Sequence, residues 1–424
     1  MNRFLYTFLL YCFQPLVLLR LGIRSIRSPQ YRHRIKERYG LASLPLRGGI
    51  WIHSVSVGET IAAIPLVKAL QQNYPHLPIT ITTMTPTGSE QVKRHFADSV
   101  QHCYLPYDLP CAMSRLINRM EPKLAIIMET ELWPNMIHQL HRKRIPVLLA
   151  NARLSERSQR GYQKVARLTR SLLSELSAVA AQNDTDGQRF IQLGLEANKL
   201  HVTGSIKFDI QASDSAIQQG QALKSLWKSD RPVWVAASTH QGEDELLLKA
   251  HQHFLTHAPD ALLILVPRHP ERFDRVAVLV EQTGLSMQRK TQLGKFNNAT
   301  QVLLGDTMGE LMSLFSAADF AFIGGSLVEH GGHNPLEAAA FGLPIMMGPS
   351  HFNFATIAEK LTDGGAMITV NSPAELAQQL IEWQKDRSSA QTMGKNALQV
   401  LQHNQGALTR HIALIKPLLG DHSL

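Results

Sequence analysis

FIGGSLVEHGGHNPLEAAAFGLPIMMG, Phe322 to Gly348, sets the fold class of this chain. An apolar run from Ala318 to Ile323, broken only by Asp319, predicts a strand that feeds a loop carrying Gly324, Gly325, Gly331 and Gly332. Asn334 and Pro335 suit an N-cap and a first helical position, and Leu336 to Phe341 then reads as a short alanine-rich helix closed by Gly342. A second apolar strand follows at Pro344 to Met347. A glycine loop between a strand and a helix start lets backbone N–H groups approach an anion, and such loops sit at the ligand-binding edge of open parallel sheets. An ordinary βα turn fits the same residues.

The alternation extends in both directions. Residues 49–55, 79–84, 102–106, 124–128 and 147–152 are short apolar runs separated by helical patterns at 60–73, 88–96, 111–120 and 133–144. Strands are also expected at 178–182 and 200–203. After a polar helical connector, Asp214 to Lys228, the order restarts with strands at 233–238, 262–267, 286–290 and 302–305, and the chain is helical from Pro373. Continuous apolar strands of this length, joined by helices, belong to parallel sheets covered on both faces. IWIHSVSVGET (51–60) and VWVAASTHQGEDE (233–245) resemble each other as first strand, small-residue loop and acidic helix start. The expectation is two Rossmann-like α/β domains facing across a cleft. Residues 1–38 form an N-terminal anchor and its basic flank. Residues 39–210 make one domain and 211–424 the other, the last helices packing back on the first.

With 424 residues, 44% hydrophobic and 18% charged, the chain is globular and too long for one core. A net charge of +9 points to an anionic partner, and three cysteines without metal spacing point to a reducing compartment. Neither a Walker A motif nor an RNA-binding motif occurs, and no pattern among the 19 histidines matches a metal site. Residues 4–19 are apolar apart from Thr7 and Gln14, slightly short of the about 20 residues that span a bilayer. Arg20, Arg24, Arg27, Arg32, Arg34, Lys36 and Arg38 follow. Cations beside an apolar helix favour the cytoplasmic leaflet, so a membrane anchor or interfacial helix is expected.

Several loops at strand ends carry chemistry. Ser54 to Glu59 puts a carboxylate at a helix start, suited to a general base or simply to the helix dipole. Glu129-Thr130-Glu131 follows a strand directly. Gly204 to Asp209 offers Lys207 as a cation for phosphate. Ser238 to Glu243 is a second anion-cradle candidate, and Pro267-Arg268-His269-Pro270 presents a rigidly flanked arginine. Asp306 to Glu310 opens a further helix.

HSVSVGE, METELWPN, ANARLSERS, GSIKFD, VPRHPERF, DTMGEL and GGSLVEHGGHNPLEAAAFG, in this order, resemble the 3-deoxy-D-manno-octulosonic acid (Kdo) transferases of lipopolysaccharide assembly. The resemblance runs from the N-terminus to about residue 400. It implies a GT-B glycosyltransferase that needs neither metal nor cofactor. Such an enzyme moves Kdo from CMP-Kdo to lipid IVA at the cytoplasmic face of the inner membrane, among phospholipids and without a nucleic-acid partner. By position it implies Glu59 as general base and Glu129 and Lys207 as transition-state stabilisers, with Glu131 beside them. Pro267, Arg268, Met308, Gly309, Glu310, Asn334, Pro335, Leu336 and Glu337 are implied to hold CMP. A UDP-sugar transferase of the same fold acting on a membrane lipid is the alternative.

Overall fold

A computed structural model describes residues 1–27, 29–227, 230–294 and 296–420; the side chain of Arg27 and the connector end at Lys228 lie outside the described residues. The chain divides into two compact units, one from Met1 to Asp209 together with the chain from Gln405, the other from Ile210 to Asn404.

The first unit holds a seven-stranded sheet in the order β3-β2-β1-β4-β5-β6-β7. Its strands are β1 (Ile50–His53), β2 (Ile79–Thr83), β3 (Gln101–Tyr104), β4 (Leu124–Met128), β5 (Val147–Ala152), β6 (Ala178–Ala181) and β7 (Leu200–Val202). All pairs are parallel. Alternate residues serve opposite cores: Trp51, Ile127 and Leu149 join one cluster, Ile50, Ile52, Ile126 and Leu148 the other. Burial on both faces is why the strands read as unbroken apolar runs.

The second unit repeats the architecture in the order β10-β11-β9-β8-β12-β13-β14. Here the strands are β8 (Val233–Thr239), β9 (Leu262–Pro267), β10 (Met287–Arg289), β11 (Val302–Leu304), β12 (Phe320–Ile323), β13 (Ile345–Met347) and β14 (Met367–Thr369), again all parallel. In each sheet the strand order reverses at one point, between β1 and β4 and between β8 and β12. Ligand crevices of doubly wound sheets open at such points.

The last helix, Ala407–Leu419, belongs to the first unit. Ala407, His411, Ile415 and Leu419 recur every four residues and are buried, placing one face of the helix in the β1–β4 core. Asp209 caps it, accepting hydrogen bonds from the backbone N–H of Gly406 (2.6 Å) and Leu408. Replacing Asp209 with alanine is expected to destabilise this unit by about 1–3 kcal/mol, the cost of a lost charged cap. Denaturant midpoints within error of wild type would disprove that role.

The N-terminal stretch is not one continuous helix. Helices Arg3–Cys12 and Gln14–Arg27 meet at a 53° bend, and among the described residues no single helix is long and apolar enough to cross a membrane. Two expected lipid-facing cations turn inward instead. Arg38 is buried, lies 4.6 Å over the Tyr104 ring and donates to Met84 O. Arg34 pairs with Glu37 at 2.7 Å and binds the His102 carbonyl at 3.0 Å.

Candidate active-site groups and family

In the first unit the β1 and β4 loops flank the reversal point. Ser56 caps the helix Val57–Asn73, which starts earlier than the expected Thr60 and so places Glu59 in its first turn. The Glu59 carboxylate accepts from Val55 N–H (2.8 Å) and from the Ser56 hydroxyl (2.9 Å), while Glu59 N–H donates to Ser56 Oγ (3.3 Å). This reciprocal box orients the carboxylate. Burial raises its proton affinity, the hydrogen bonds from Val55 and Ser56 pull it back, and the charge of Glu129 adds a further rise.

Glu129 leaves β4 with φ +55°, a left-handed conformation that costs a side-chain-bearing residue about 1–2 kcal/mol. Its carboxylate lies 3.9 Å from the Lys207 ammonium, both partly shielded from solvent. Burial, then the charges of Glu59 and Glu129, push Glu131 up to about 7, so it stays partly protonated near neutral pH. Glu59, Glu129, Glu131 and Lys207 therefore form one electrostatic group, drawn from three segments of the first unit.

Asn151, inside the ANARLSERS motif but not singled out by its residue type, places Lys207. It is fully buried at φ +52°, and its side-chain oxygen accepts from Ile206 N–H (3.1 Å), which anchors the turn Ile206–Phe208. Asn151 N–H donates to His411 Nε2 (2.9 Å), and Nδ1 of that ring sits 2.7 Å from Ala407 O, which fixes the tautomer. Burial lowers the His411 pKa to about 4, keeping it a neutral acceptor.

In the second unit the glycine loop does cradle an anion, but the anion belongs to the chain. The buried Glu243 carboxylate accepts from Gly325 N–H (2.7 Å), Ser326 N–H (3.0 Å), Leu327 N–H (3.0 Å) and His240 N–H (3.1 Å). A Cβ on Gly324 would stand 2.9 Å from that carboxylate and 2.7 Å from Ser238 O, so only glycine admits the approach. These donors are spent on internal structure, which corrects the expectation that they hold a ligand phosphate. The following helix is also shorter than expected, Leu336–Ala339, with the Asn334 side chain accepting from Leu336 N–H (3.2 Å). One turn has little dipole to offer an anion.

Arg268 therefore remains the main cation at this edge. It follows Pro267 at the end of β9, its N–H bonded to Thr239 O (3.0 Å). Glu337 keeps part of its surface open to solvent; desolvation pushes its carboxyl up to about 7 against the charge of Arg268 and the Asn334 hydrogen bond. Met308 is exposed and Gly309 has open space around it. Glu310 pairs with Lys290, which holds its carboxyl below the usual range. Loops after β8, β9, β11 and β12 leave the same sheet edge. Pro335 and Leu336 are buried.

Residues 33–210 match the family model of the 3-deoxy-D-manno-octulosonic-acid transferases (kdotransferase), and residues 230–400 match glycosyl transferases group 1. A 3-deoxy-D-manno-octulosonic acid transferase of Haemophilus influenzae is 49% identical over 99% of both chains. One from Bordetella pertussis is 34% identical over 99% of this chain and 100% of its own. Among solved structures, Anabaena Alr3699/HepE in complex with UDP and glucose aligns with TM-score 0.52 at 16% identity, covering 88% of this chain and 100% of that one. That likeness carries the two-sheet GT-B fold and nothing more. With near-half identity along its length to one Kdo transferase, and both sheets and motif loops in place, the chain belongs to the 3-deoxy-D-manno-octulosonic acid transferases and is a glycosyltransferase.

Proposed function

We propose that the enzyme transfers Kdo from CMP-Kdo to a hydroxyl of lipid IVA with inversion and without a metal ion, at the cytoplasmic side of the inner membrane. The groups at the two reversal points support this reading: Glu59 and Glu131, with raised proton affinity, gather with Glu129 and Lys207 in the first unit, and Arg268 stands with Glu337 in the second. Glycosyl transfer needs both kinds of group. The acceptor oxygen attacks the anomeric carbon while Glu59 takes its proton, and the bond to the CMP phosphate breaks with its electron pair going to CMP. A single displacement inverts the centre. Glu129 and Lys207, held at 3.9 Å, stabilise charge that develops in the transition state. Arg268 meets the leaving phosphate, Glu337 the ribose hydroxyls, and the loops at Pro267, Met308 to Glu310 and Asn334 to Leu336 surround the nucleotide.

The N-terminal helices support a membrane surface as the workplace. Their tyrosine and threonine side faces the protein: Tyr6 donates to Asp108 (3.0 Å) and Thr7 to Asn135 (3.0 Å). Phe4, Phe8, Phe13, Leu16, Leu19, Ile23 and Ile26 point outward, Phe4 with 83% of its surface exposed. Exposed Arg20, Arg24, Arg32 and Lys36 complete an amphipathic element suited to an anionic leaflet.

Mass spectrometry of lipid IVA incubated with CMP-Kdo and enzyme tests the assignment. The expected product is heavier by one or more Kdo units. Transfer from UDP-sugars instead, with none from CMP-Kdo, would overturn it.

A further inference from the structure

A group of four histidines gathers at the reversal point of the second sheet without any role assigned above. His240 Nε2 lies 2.8 Å from His333 Nε2, their rings parallel within 3°. His330 stacks on His240 at 4.2 Å between centroids, and His269 meets His240 edge-on at 5.5 Å. His240 follows β8, His269 follows β9, and His330 and His333 follow β12. These are the loops at which a doubly wound sheet takes its ligand.

We propose that the His240–His333 pair is an anion subsite for the acidic sugar nucleotide, binding the donor's phosphate or its sugar carboxylate with uptake of a proton. The proposal rests on the donor reading above.

Two imidazole nitrogens at hydrogen-bond distance share one proton, so a neutral pair uses one ring as donor and the other as acceptor. An added proton goes to the free Nδ1 of the donor ring, so the Nε2–H···Nε2 bond persists while the pair gains one positive charge and one more N–H donor. The charges around the pair oppose the added proton: Arg268, His269 and Arg272 from the β9 side and His330 from the β12 loop. The Glu243 carboxylate, which accepts from His240 N–H, is committed to four backbone N–H groups. Burial first, and then these neighbours, lower His240 to about 4 and His333 to about 3. An incoming phosphate or carboxylate supplies an acceptor for that N–H and the countercharge together. Since the protonated pair binds and the free pair is neutral, affinity must rise as pH falls. The rise reaches up to about tenfold per pH unit below the bound-state pKa.

Calorimetry of CMP binding slightly below neutral pH, in two buffers of different ionisation heat, reads the proton directly. CMP's own phosphate titrates at about pH 6, so wild type is compared with His333→Asn and His240→Asn, which keep hydrogen bonding but cannot titrate. Thermal unfolding identifies any variant that has lost its fold, and the other then carries the comparison. Extra proton uptake by wild type with CMP places the phosphate on the pair. Uptake absent with CMP, but present when free Kdo joins the CMP complex and lost in the variants, places the carboxylate there. If CMP binds and both arms match between wild type and variants, the subsite is wrong. Failure of CMP to bind wild type at all would overturn the donor reading along with it.

Discussion

Glutamine in place of Glu59 is expected to lower the rate of Kdo transfer by about a hundredfold to ten-thousandfold, the usual worth of a positioned general base. CMP affinity and thermal stability should stay near wild type. Glutamine is the informative change because the Glu59 side chain also closes the capping box through Val55 N–H and the Ser56 hydroxyl. An amide oxygen still accepts from Val55, so the helix start survives while the basic oxygen is lost. Alanine would remove both roles and confuse them. Product formation at more than a tenth of the wild-type rate would sink the assignment and move attention to Glu131. That neighbour shares the electrostatic group and is already pushed up to about 7.

The second large effect is structural. Glu243→Ala strips four backbone N–H groups of their acceptor, and those of Gly325 and Ser326 are fully buried. At about 1–3 kcal/mol for each buried donor left unpaired, the second unit should lose roughly 2–6 kcal/mol. The β12 loop that carries His330 and His333 would lose its anchor as well. Thermal unfolding should show an early transition with CMP binding lost, and Glu243→Gln should fall between. A variant that melts with wild type and still binds CMP would show that the glycine loop orders itself without the carboxylate.

The pair Glu243 and Gly324 illustrates how far the residue string could be read. Glycine spacing after an apolar strand correctly identified a backbone nest, because close approach to an anion leaves no room for a Cβ. Which anion fills the nest was not legible, since Glu243 lies on another loop, 82 positions before Gly325. Arg34 and Arg38 show the same limit. Their spacing in a basic flank fits a lipid-facing surface, but Tyr104 and His102, from β3, draw both guanidinium groups inward.

By itself the sequence determined the two parallel α/β sheets, because strands buried on both faces must be continuously apolar and crossover helices must separate them. It also determined the family, through motifs whose order and length no single loop reproduces. Tertiary structure alone decided four things. It chose Asp209 and Asn151 as the groups that hold the last helix, and it bent the N-terminal segment. It assigned the glycine loop to Glu243, and it brought His240, His269, His330 and His333 together. Each depends on contacts between residues far apart in the chain. Such contacts arise only when burial forces polar groups to find partners, and local periodicity carries no record of which partner is found.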